Sequence, residues 1–417
     1  MSLHIPPALY HRRFRYLWIG TTISIAGTQM QIWALFWHIR TLTDQPIALG
    51  GVGLARIIPI VFFSLIGGAF ADAVNRRRLL FITQSLMTFL ALILAALTFR
   101  GTINLWHIYL LTALQATAVA FDTPSRQAMI PSLVPPNDLP NAFSLNAIGF
   151  QVGAIIGPAL SGLVIAYWGQ SYTYLLNAIS YGAVIIALIL MGPVSQVRDA
   201  LKRPEVSLGA IKDGVRFILN QPIILATMIL DFFATFFSSA NTLLPIYTRD
   251  ILNVGVIQYG WLSAAQAIGA TLAALVFSQL QVIRRQGRVF LWAVVAFGVA
   301  TIVFGLARSF PLAMAALIAI GAADSVSTII RNTIRQLQTP DVMRGRMVSV
   351  NQIFFMGGPQ LGEVEAGVVA QLFGTPFAIV SGGIGALLAV GWIARRWPQL
   401  RDYNGDEPML SQPATAD

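Results

Sequence analysis

The chain has 417 residues, of which 56% are hydrophobic and only 11% are charged, with a formal net charge of +10. Since an average soluble domain carries roughly 25% charged residues, the composition excludes an ordinary water-soluble surface and predicts an integral membrane protein surrounded by lipid. It has no cysteine and four scattered histidines, so we expect no disulfide, no metal site and no cofactor.

Positive charge is also typical of proteins that bind nucleic acid. Here nearly all of it is arginine at the ends of apolar segments, and no basic stripe with interleaved aromatic residues stands in a polar region. We therefore interpret the charge as a signal for membrane orientation and expect no nucleic-acid partner.

Twelve apolar segments are long enough to cross about 30 Å of hydrocarbon as helices. The first follows a basic stretch ending at Arg15 and is too long for a signal peptide, so we interpret it as a retained helix. The segments are estimated at residues 14–40, 47–71, 79–99, 105–130, 140–168, 172–191, 223–248, 256–280, 289–307, 311–337, 347–372 and 376–394. The predicted fold class is all-α integral membrane, with two six-helix bundles.

Most of the 27 Lys and Arg lie at the N-terminus, after the even-numbered segments and at the C-terminus. Because cytoplasmic loops carry the excess of basic residues, we predict that both termini are cytoplasmic. The expected location is the inner membrane of a prokaryote, as a multi-pass monomer.

The predicted division of the chain is a first bundle over 1–192, a linker over 193–222, a second bundle over 223–400 and a disordered tail over 401–417. Within the linker, apolar residues recur at helical spacing, which suits a short helix on the inner membrane surface. A solvated tether explains the same stretch equally well.

A diverged internal repeat supports two homologous halves. The stretch from Arg126 to Gly169 recurs without a gap from Arg331 to Gly374, an offset of 205 residues. Four glycines of the first copy coincide with glycines of the second, and so do one proline, one serine and one asparagine. A period this long is not that of a solenoid.

The connection after the second segment combines small residues from Gly67 with Asp72 and then Arg76, Arg77 and Arg78. Small residues let a helix end approach its neighbour closely, and the arginines suit an anionic inner leaflet. This loop resembles the signature of the major facilitator superfamily. The corresponding loop after the eighth segment keeps only the basic part.

The fifth segment contains a stripe of small residues with a proline, formed by Gly153, Gly157, Pro158 and Gly162. Glycines four residues apart form a flat groove for a close helix contact, and proline bends the helix there. The pattern resembles the antiporter motif of that superfamily, which is typical of exporters. Generic helix packing is the alternative.

Two further stretches, Phe121 to Ala128 and Pro359 to Gly367, resemble the enterobactin-exporter-like branch of the superfamily, over about residues 10–396. The resemblance implies a small-molecule substrate such as a drug or siderophore, moved by alternating access in exchange for protons, with membrane lipids as further partners. Gln115 lies about where many drug exporters of the superfamily carry a membrane-embedded arginine, which puts coupling through that position in doubt.

Import or lipid flipping by the same fold is the alternative within transport. A membrane protein without transport activity is the alternative from another class. The sequence contains no nucleophile-elbow, phosphate-loop or zinc-protease motif, so we do not expect an enzyme.

Ionisable residues inside the bilayer are costly and need a partner or a use. By resemblance, a charge network at the inner gate is expected in each half. In the first half it consists of Asp72, Arg76, Arg77, Asp122 and Arg126. In the second half it consists of Asp324, Arg331 and Arg335.

Deeper ionisable residues are candidates for proton coupling. In the superfamily that the chain resembles, the second and eleventh helices face each other, so we expect Arg56 to form an ion pair with Glu363 or Glu365 that breaks and reforms during transport. Glu363 is preferred because it follows Gly362 on the close-packing side of the eleventh segment. A permanent structural ion pair is the alternative. Asp231 is a second candidate proton carrier, with helix capping or a plain hydrogen bond as its alternative role.

Polar side chains within apolar segments are candidates for the substrate pathway. Buried amides also serve simply to tie helices together, and that alternative applies to each of them. These candidates are Gln29, Gln31, Trp33, Asn241 and Gln266.

Overall fold

The structure is a computed structural model that describes residues 6–194, 208–237, 240–280 and 283–405; side chains at 64–73 and at several other helical positions lie outside the description. Almost all of the described chain is helical. The helices are α1 (Arg12–Leu42), α2 (Pro46–Ala73), α3 (Arg76–Phe99), α4 (Leu105–Met129), α5 (Leu139–Trp168), α6 (Gln170–Met191), α7 (Leu208–Leu219), α8 (Pro222–Phe237), α9 (Leu244–Ile246), α10 (Val256–Phe277), α11 (Gln286–Leu306), α12 (Phe310–Leu337), α13 (Asp341–Phe373), α14 (Thr375–Arg396) and α15 (Pro398–Asp402).

A helix is present at each of the twelve predicted apolar segments. Within the described residues, nine helices are long and apolar enough to cross a membrane. The other three segments form α1, α4 and α13, which are 31, 25 and 33 residues long but contain more polar side chains. Their polar residues form several of the clusters described below.

The seventh predicted segment, 223–248, is not one continuous helix. After α8 the chain forms a 3-10 turn at Ala240–Leu243, then α9, then a π-helical turn at Tyr247–Ile251. Pro245 lies in α9 and lacks the backbone N–H that a continuous helix would use there. This irregular stretch is mostly buried, which is the condition under which such backbone is tolerated at membrane depth.

The predicted linker contains the helix α7. Its Ile218 is buried against Met228 and Met347, whereas Val215 and Arg216 are exposed. One side of α7 therefore packs on neighbouring helices. Its location on the inner membrane surface remains a prediction.

The chain forms two compact units. Unit 1 comprises Met1–Pro204 and Asn253–Ala264, and unit 2 comprises Glu205–Leu252 and Ala265–Asp417. In unit 1, α1 packs against α5 and α6, and α3 packs against α4 and α6. In unit 2, α8 packs against α13 and α14, and α11 packs against α12 and α14. The same pairs of elements meet in both units, as the internal repeat predicts.

Two glycines end equivalent long helices in the same way. Gly169 follows α5 with a φ of +86°, and Gly374 follows α13 with a φ of +89°. L-residues with a side chain rarely adopt this conformation, which explains glycine at both positions. The repeat thus extends from sequence to backbone geometry.

Candidate functional site: buried charged and amide clusters

The first buried cluster of unit 1 surrounds Asp122, whose side chain is almost fully buried on α4. Thr83 Oγ1 donates a hydrogen bond to Asp122 Oδ1 at 2.9 Å, and Gln84 Nε2 donates to the same atom at 2.8 Å. Arg126, one turn further along α4, forms an ion pair with Asp122 Oδ2. The carboxylate therefore joins α3 to α4 and has both a cation and neutral donors as partners.

Arg76 and Arg77, predicted for the gate of the first half, contact helix ends. Arg76 Nη1 donates to the carbonyl of Ala128 at 2.9 Å, and Arg77 Nε donates to the carbonyl of Leu188 at 2.9 Å. These carbonyls lie in the last turns of α4 and α6, where backbone acceptors lack helical partners and cations are favoured. The side chain of Asp72 lies outside the described part of the chain.

A second buried cluster in unit 1, the amide–phenol network, joins α1, α4 and α6. Gln31 Nε2 donates to Gln115 Oε1 at 2.7 Å, and Gln115 Nε2 donates to the Tyr181 hydroxyl at 2.7 Å. Asn177 Nδ2 donates to Gln31 Oε1 at 2.7 Å, and Thr28 Oγ1 donates to Tyr181 at 3.1 Å. Gln31 thus ties three helices together.

The charged cluster of unit 2 is centred on Asp231 of α8. Arg331 Nη2 lies 3.0 Å from Asp231 Oδ1, and Arg335 Nη2 lies 3.5 Å from Oδ2. All three side chains are less than 5% exposed. Neither carboxylate oxygen accepts an aligned hydrogen bond from the described residues, so these contacts are ion pairs without ideal donor geometry.

The two arginines have further partners in unit 2. Arg331 Nη1 lies 3.6 Å from Asp324, whose side chain is 47% exposed, and donates to Ser327 at 3.0 Å. Arg335 donates from Nε to Thr227 at 3.0 Å and from Nη1 to Asn351 Oδ1 at 2.7 Å. The cluster thus contains two cations and two carboxylates and connects α8, α12 and α13.

Asn241 and Gln266, both predicted for the substrate pathway, form a reciprocal amide pair in unit 2. Asn241 Nδ2 donates to Gln266 Oε1 at 3.1 Å, and Gln266 Nε2 donates to Asn241 Oδ1 at 2.8 Å. Each side chain keeps one further N–H and one lone pair, so the pair is able to bind another polar group.

The other two pathway candidates lie on α1. Trp33 is half-buried, and its carbonyl accepts a hydrogen bond at 2.8 Å from Tyr259, a fully buried residue at the start of α10 that also belongs to unit 1. Gln29 is half-buried beside Gly157 of α5.

The glycine stripe of α5 forms close helix contacts inside unit 1. A Cβ added at Gly157 would lie 2.5 Å from the Ala26 carbonyl oxygen, and one at Gly153 would lie 2.6 Å from Ile25 Cγ2. Gly162 and the carbonyl of Pro158 lie against Gly260 at the start of α10. Packing accounts for these residue types; a role in antiport remains a prediction.

The remaining coupling candidates are half-buried on their helices. Arg56 lies on α2, and Glu363 and Glu365 lie on α13. Glu365 makes no hydrogen bond or ion pair with the described residues. The expected pairing of Arg56 with a glutamate remains a prediction.

Several residues of these clusters were not among the sequence candidates. Thr83, Gln84, Asn177, Tyr181 and Asn351 each lie in a helix where most neighbours are apolar. Their polarity within an apolar segment was the available signal. Single residues of this kind occur throughout such a sequence, so spacing alone does not show which ones meet.

The chain is 26% identical over 390 residues to the multidrug efflux pump Tap of Mycolicibacterium fortuitum, covering 91% of this chain and 94% of Tap. It is also 26% identical over 384 residues to the enterobactin exporter EntS of Escherichia coli, covering 91% of this chain and 90% of EntS.

Solved structures show the same fold. A bacterial homologue of the human lysosomal transporter Spinster superposes with a TM-score of 0.75 at 13% identity, covering 95% of this chain and 99% of that one. The nucleoside transporter NupG superposes with a TM-score of 0.68 at 15% identity, covering 94% and 99%. Relatives and structural neighbours are transporters rather than enzymes.

The family model described as transmembrane secretion effector matches residues 6–412. The resemblance of the sequence motifs to the major facilitator superfamily is confirmed by this match and by the efflux relatives. The chain is therefore a multi-pass membrane transporter of the major facilitator type and a member of the transmembrane secretion effector family.

Proposed function

We propose that this transporter exports a small organic molecule, such as a drug or a siderophore, in exchange for protons and by alternating access. The observation that carries the direction of transport is the similarity along 91% of the chain to a multidrug efflux pump and to an enterobactin exporter. The glycine stripe of α5 supports the same direction through its resemblance to the antiporter motif.

The proposed topology has twelve membrane spans, with both termini in the cytoplasm and the chain acting as a monomer in the inner membrane of a prokaryote. The polar side chains that distinguish α1 and α4 from the more apolar helices include Gln31, Gln115 and Asp122, which are paired within unit 1. A polar group that is satisfied inside the bundle is compatible with a membrane span.

The charged clusters are proposed to act as gate elements. In each unit an arginine at the same repeat position, Arg126 or Arg331, is bound to a buried aspartate. Loss of such a pair leaves a buried charge without compensation. We therefore propose that each arginine exchanges one acidic partner for another when the transporter changes between its inward-facing and outward-facing states.

Glu365 is the proposed proton carrier. A carrier has to take up and release a proton during each cycle, and Asp231 is already bound by two arginines. Glu365 is half-buried and lacks an ion pair with the described residues. A charged carboxylate without a cation is costly inside a membrane, so protonation of Glu365 would remove that cost. Glu363, preferred on sequence grounds, is tested beside it.

The experiment measures accumulation of fluorescent drugs and siderophores in inside-out vesicles, with and without an imposed proton gradient. We expect gradient-driven accumulation by the wild type and its loss in Glu365→Gln. Asp402→Asn, which changes an acidic side chain that is 56% exposed and paired with two exposed arginines, is the matched control and should retain activity. Substrate exchange without a gradient should persist in Glu365→Gln, because exchange needs the binding site but no net proton movement.

Full gradient-driven export by Glu365→Gln together with its loss in Glu363→Gln would move the carrier to Glu363. Accumulation only in right-side-out vesicles would replace export by import. Movement of labelled lipid in place of the drugs and siderophores would replace export by flipping.

A further inference from the structure

An open groove of about 590 Å³ lies on the surface of unit 2, between α11, α14 and α15. One face of α11 and the facing side of α14 form its walls, and α15 closes one end. The lining residues are Arg288, Leu291, Trp292, Val295, Val390, Ala394 and Arg401.

The end of the groove is built by specific contacts of the segment that includes α15. Leu400 and Tyr403 are buried, and the carbonyl of Tyr403 accepts a hydrogen bond from the backbone N–H of Gly287 at 3.0 Å. A Cβ at Gly287 would overlap the carbonyl oxygen of Leu400, so only glycine permits this approach. Asn404 Oδ1 also accepts from the Arg285 N–H at 2.8 Å. The segment is therefore held in place beside Arg288.

Two arginines flank the groove with much of their surface available. Arg288 and Arg401 are 52% and 55% exposed, and they share one acidic neighbour, Asp402, at 3.9 Å and 3.2 Å. A guanidinium has five N–H donors, so a single shared carboxylate leaves several donors on each arginine for an anion. Arg395 and Arg396 at the end of α14 add positive charge near this end of the unit.

The rest of the lining is apolar. Leu291 and Val295 are one turn apart on α11, and Val390 and Ala394 are one turn apart on α14. Trp292 is 70% exposed, and exposed tryptophan is typical of the boundary between lipid headgroups and acyl chains.

We propose that this groove binds an anionic phospholipid, with the phosphate between Arg288 and Arg401 and an acyl chain along the apolar walls. The positive charge at one end of the groove matches the anionic headgroup of such a lipid, and the apolar surface along its walls matches an acyl chain. A soluble phosphate would use the arginines but leave the apolar walls exposed. The proposal depends on membrane insertion alone and not on the transported substrate.

The test measures lipid binding to the purified full chain by native mass spectrometry, with phosphatidylglycerol as the anionic probe and phosphatidylethanolamine as the zwitterionic one. We expect phosphatidylglycerol to bind more tightly, and we expect Arg288→Gln with Arg401→Gln to weaken its binding about 30-fold. Arg395→Gln with Arg396→Gln removes the same charge from residues that do not line the groove, and it should weaken binding much less than the first pair.

Val295→Trp tests the apolar part, because it fills the groove while both arginines remain. It should also weaken phosphatidylglycerol binding, and it covers the case in which the double arginine variant does not fold. Equal weakening by both arginine pairs would overturn the proposal in favour of general surface charge. Displacement of the lipid by millimolar inorganic phosphate would overturn it in favour of a soluble-anion site.

Discussion

Arg126 and Arg331 occupy the same position of the internal repeat, and each forms an ion pair with a buried aspartate. The two aspartates do not occupy the same position of the repeat. Arg126 binds Asp122 of its own helix, whereas Arg331 binds Asp231 of α8. The repeat position of Asp122 is Ser327 in the second half, and Arg331 donates a hydrogen bond to it at 3.0 Å. In unit 2 the arginine therefore connects two helices, while in unit 1 it closes one turn of a single helix.

Replacement of Asp231 by Asn is expected to destabilise unit 2 strongly. It would leave Arg331 and Arg335 buried without the carboxylate that lies between them, and breaking a buried ion pair in this way costs about 3–5 kcal/mol. Thermal unfolding in detergent measures the effect. Asp324→Asn is the control, because Asp324 is 47% exposed and its loss should cost about 1 kcal/mol or less. Equal effects of the two substitutions would contradict the central role of Asp231.

Gly157→Ala is expected to disturb the packing of α5 on α1. The new Cβ would lie 2.5 Å from the Ala26 carbonyl oxygen and 2.6 Å from Gln29 Cβ, and overpacking of this kind costs about 1–3 kcal/mol. Gly182→Ala is the matched control on α6, since an added Cβ there meets nothing within 4 Å. A stable Gly157→Ala protein would show that the two helices separate easily.

Gly169→Ala and Gly374→Ala are expected to destabilise their units by similar amounts, about 1–3 kcal/mol each. Neither added Cβ would meet an atom of the described residues within 4 Å, so the positive φ is the source of the cost. Comparing the unfolding temperatures of the two variants tests the equivalence of the two helix ends. Destabilisation by only one of them would show that the repeat is no longer equivalent there.

Tyr181→Phe is expected to weaken the amide–phenol network. It removes the acceptor used by Gln115 and Thr28, and buried hydrogen bonds between membrane helices contribute about 0.6 kcal/mol on average, with a maximum of about 1.7. The comparison variant is Tyr172→Phe, whose ring is 42% exposed. An unfolding temperature unchanged by Tyr181→Phe would mean that Gln115 and Thr28 find other partners.

The sequence predicts the helices well because the length and apolarity of each segment are local properties of the chain. A helix is present at each predicted segment, although the seventh is interrupted, and the repeat predicts that the same pairs of helices meet in both units. The break before α9 is not predicted, although the sequence has polar residues at 238, 239, 241 and 242 and then Pro245.

The candidate site was predictable only in part. Asp231, Arg331 and Arg335 were each identified as costly charges, but as members of separate sets: Asp231 was assigned to proton coupling and the arginines to gating. Asp231 is 100 residues before Arg331 in the sequence, and helical spacing carries no information about partners at that distance. The amide–phenol network was hidden for the same reason, since Gln31 and Asn177 meet only through packing.

The close approach of Leu400 to Gly287 has a practical consequence for protein preparation. A deletion of the chain beyond Trp397, or a fusion partner joined there, would take away Leu400, Tyr403 and Asn404 and leave the N–H groups of Gly287 and Arg285 without those acceptors. It would also remove Arg401 and the end of the groove that α15 closes. A cleavable tag placed after Gly405 keeps these contacts, so the two lengths of expressed protein should differ in heat tolerance even though both keep α14 complete.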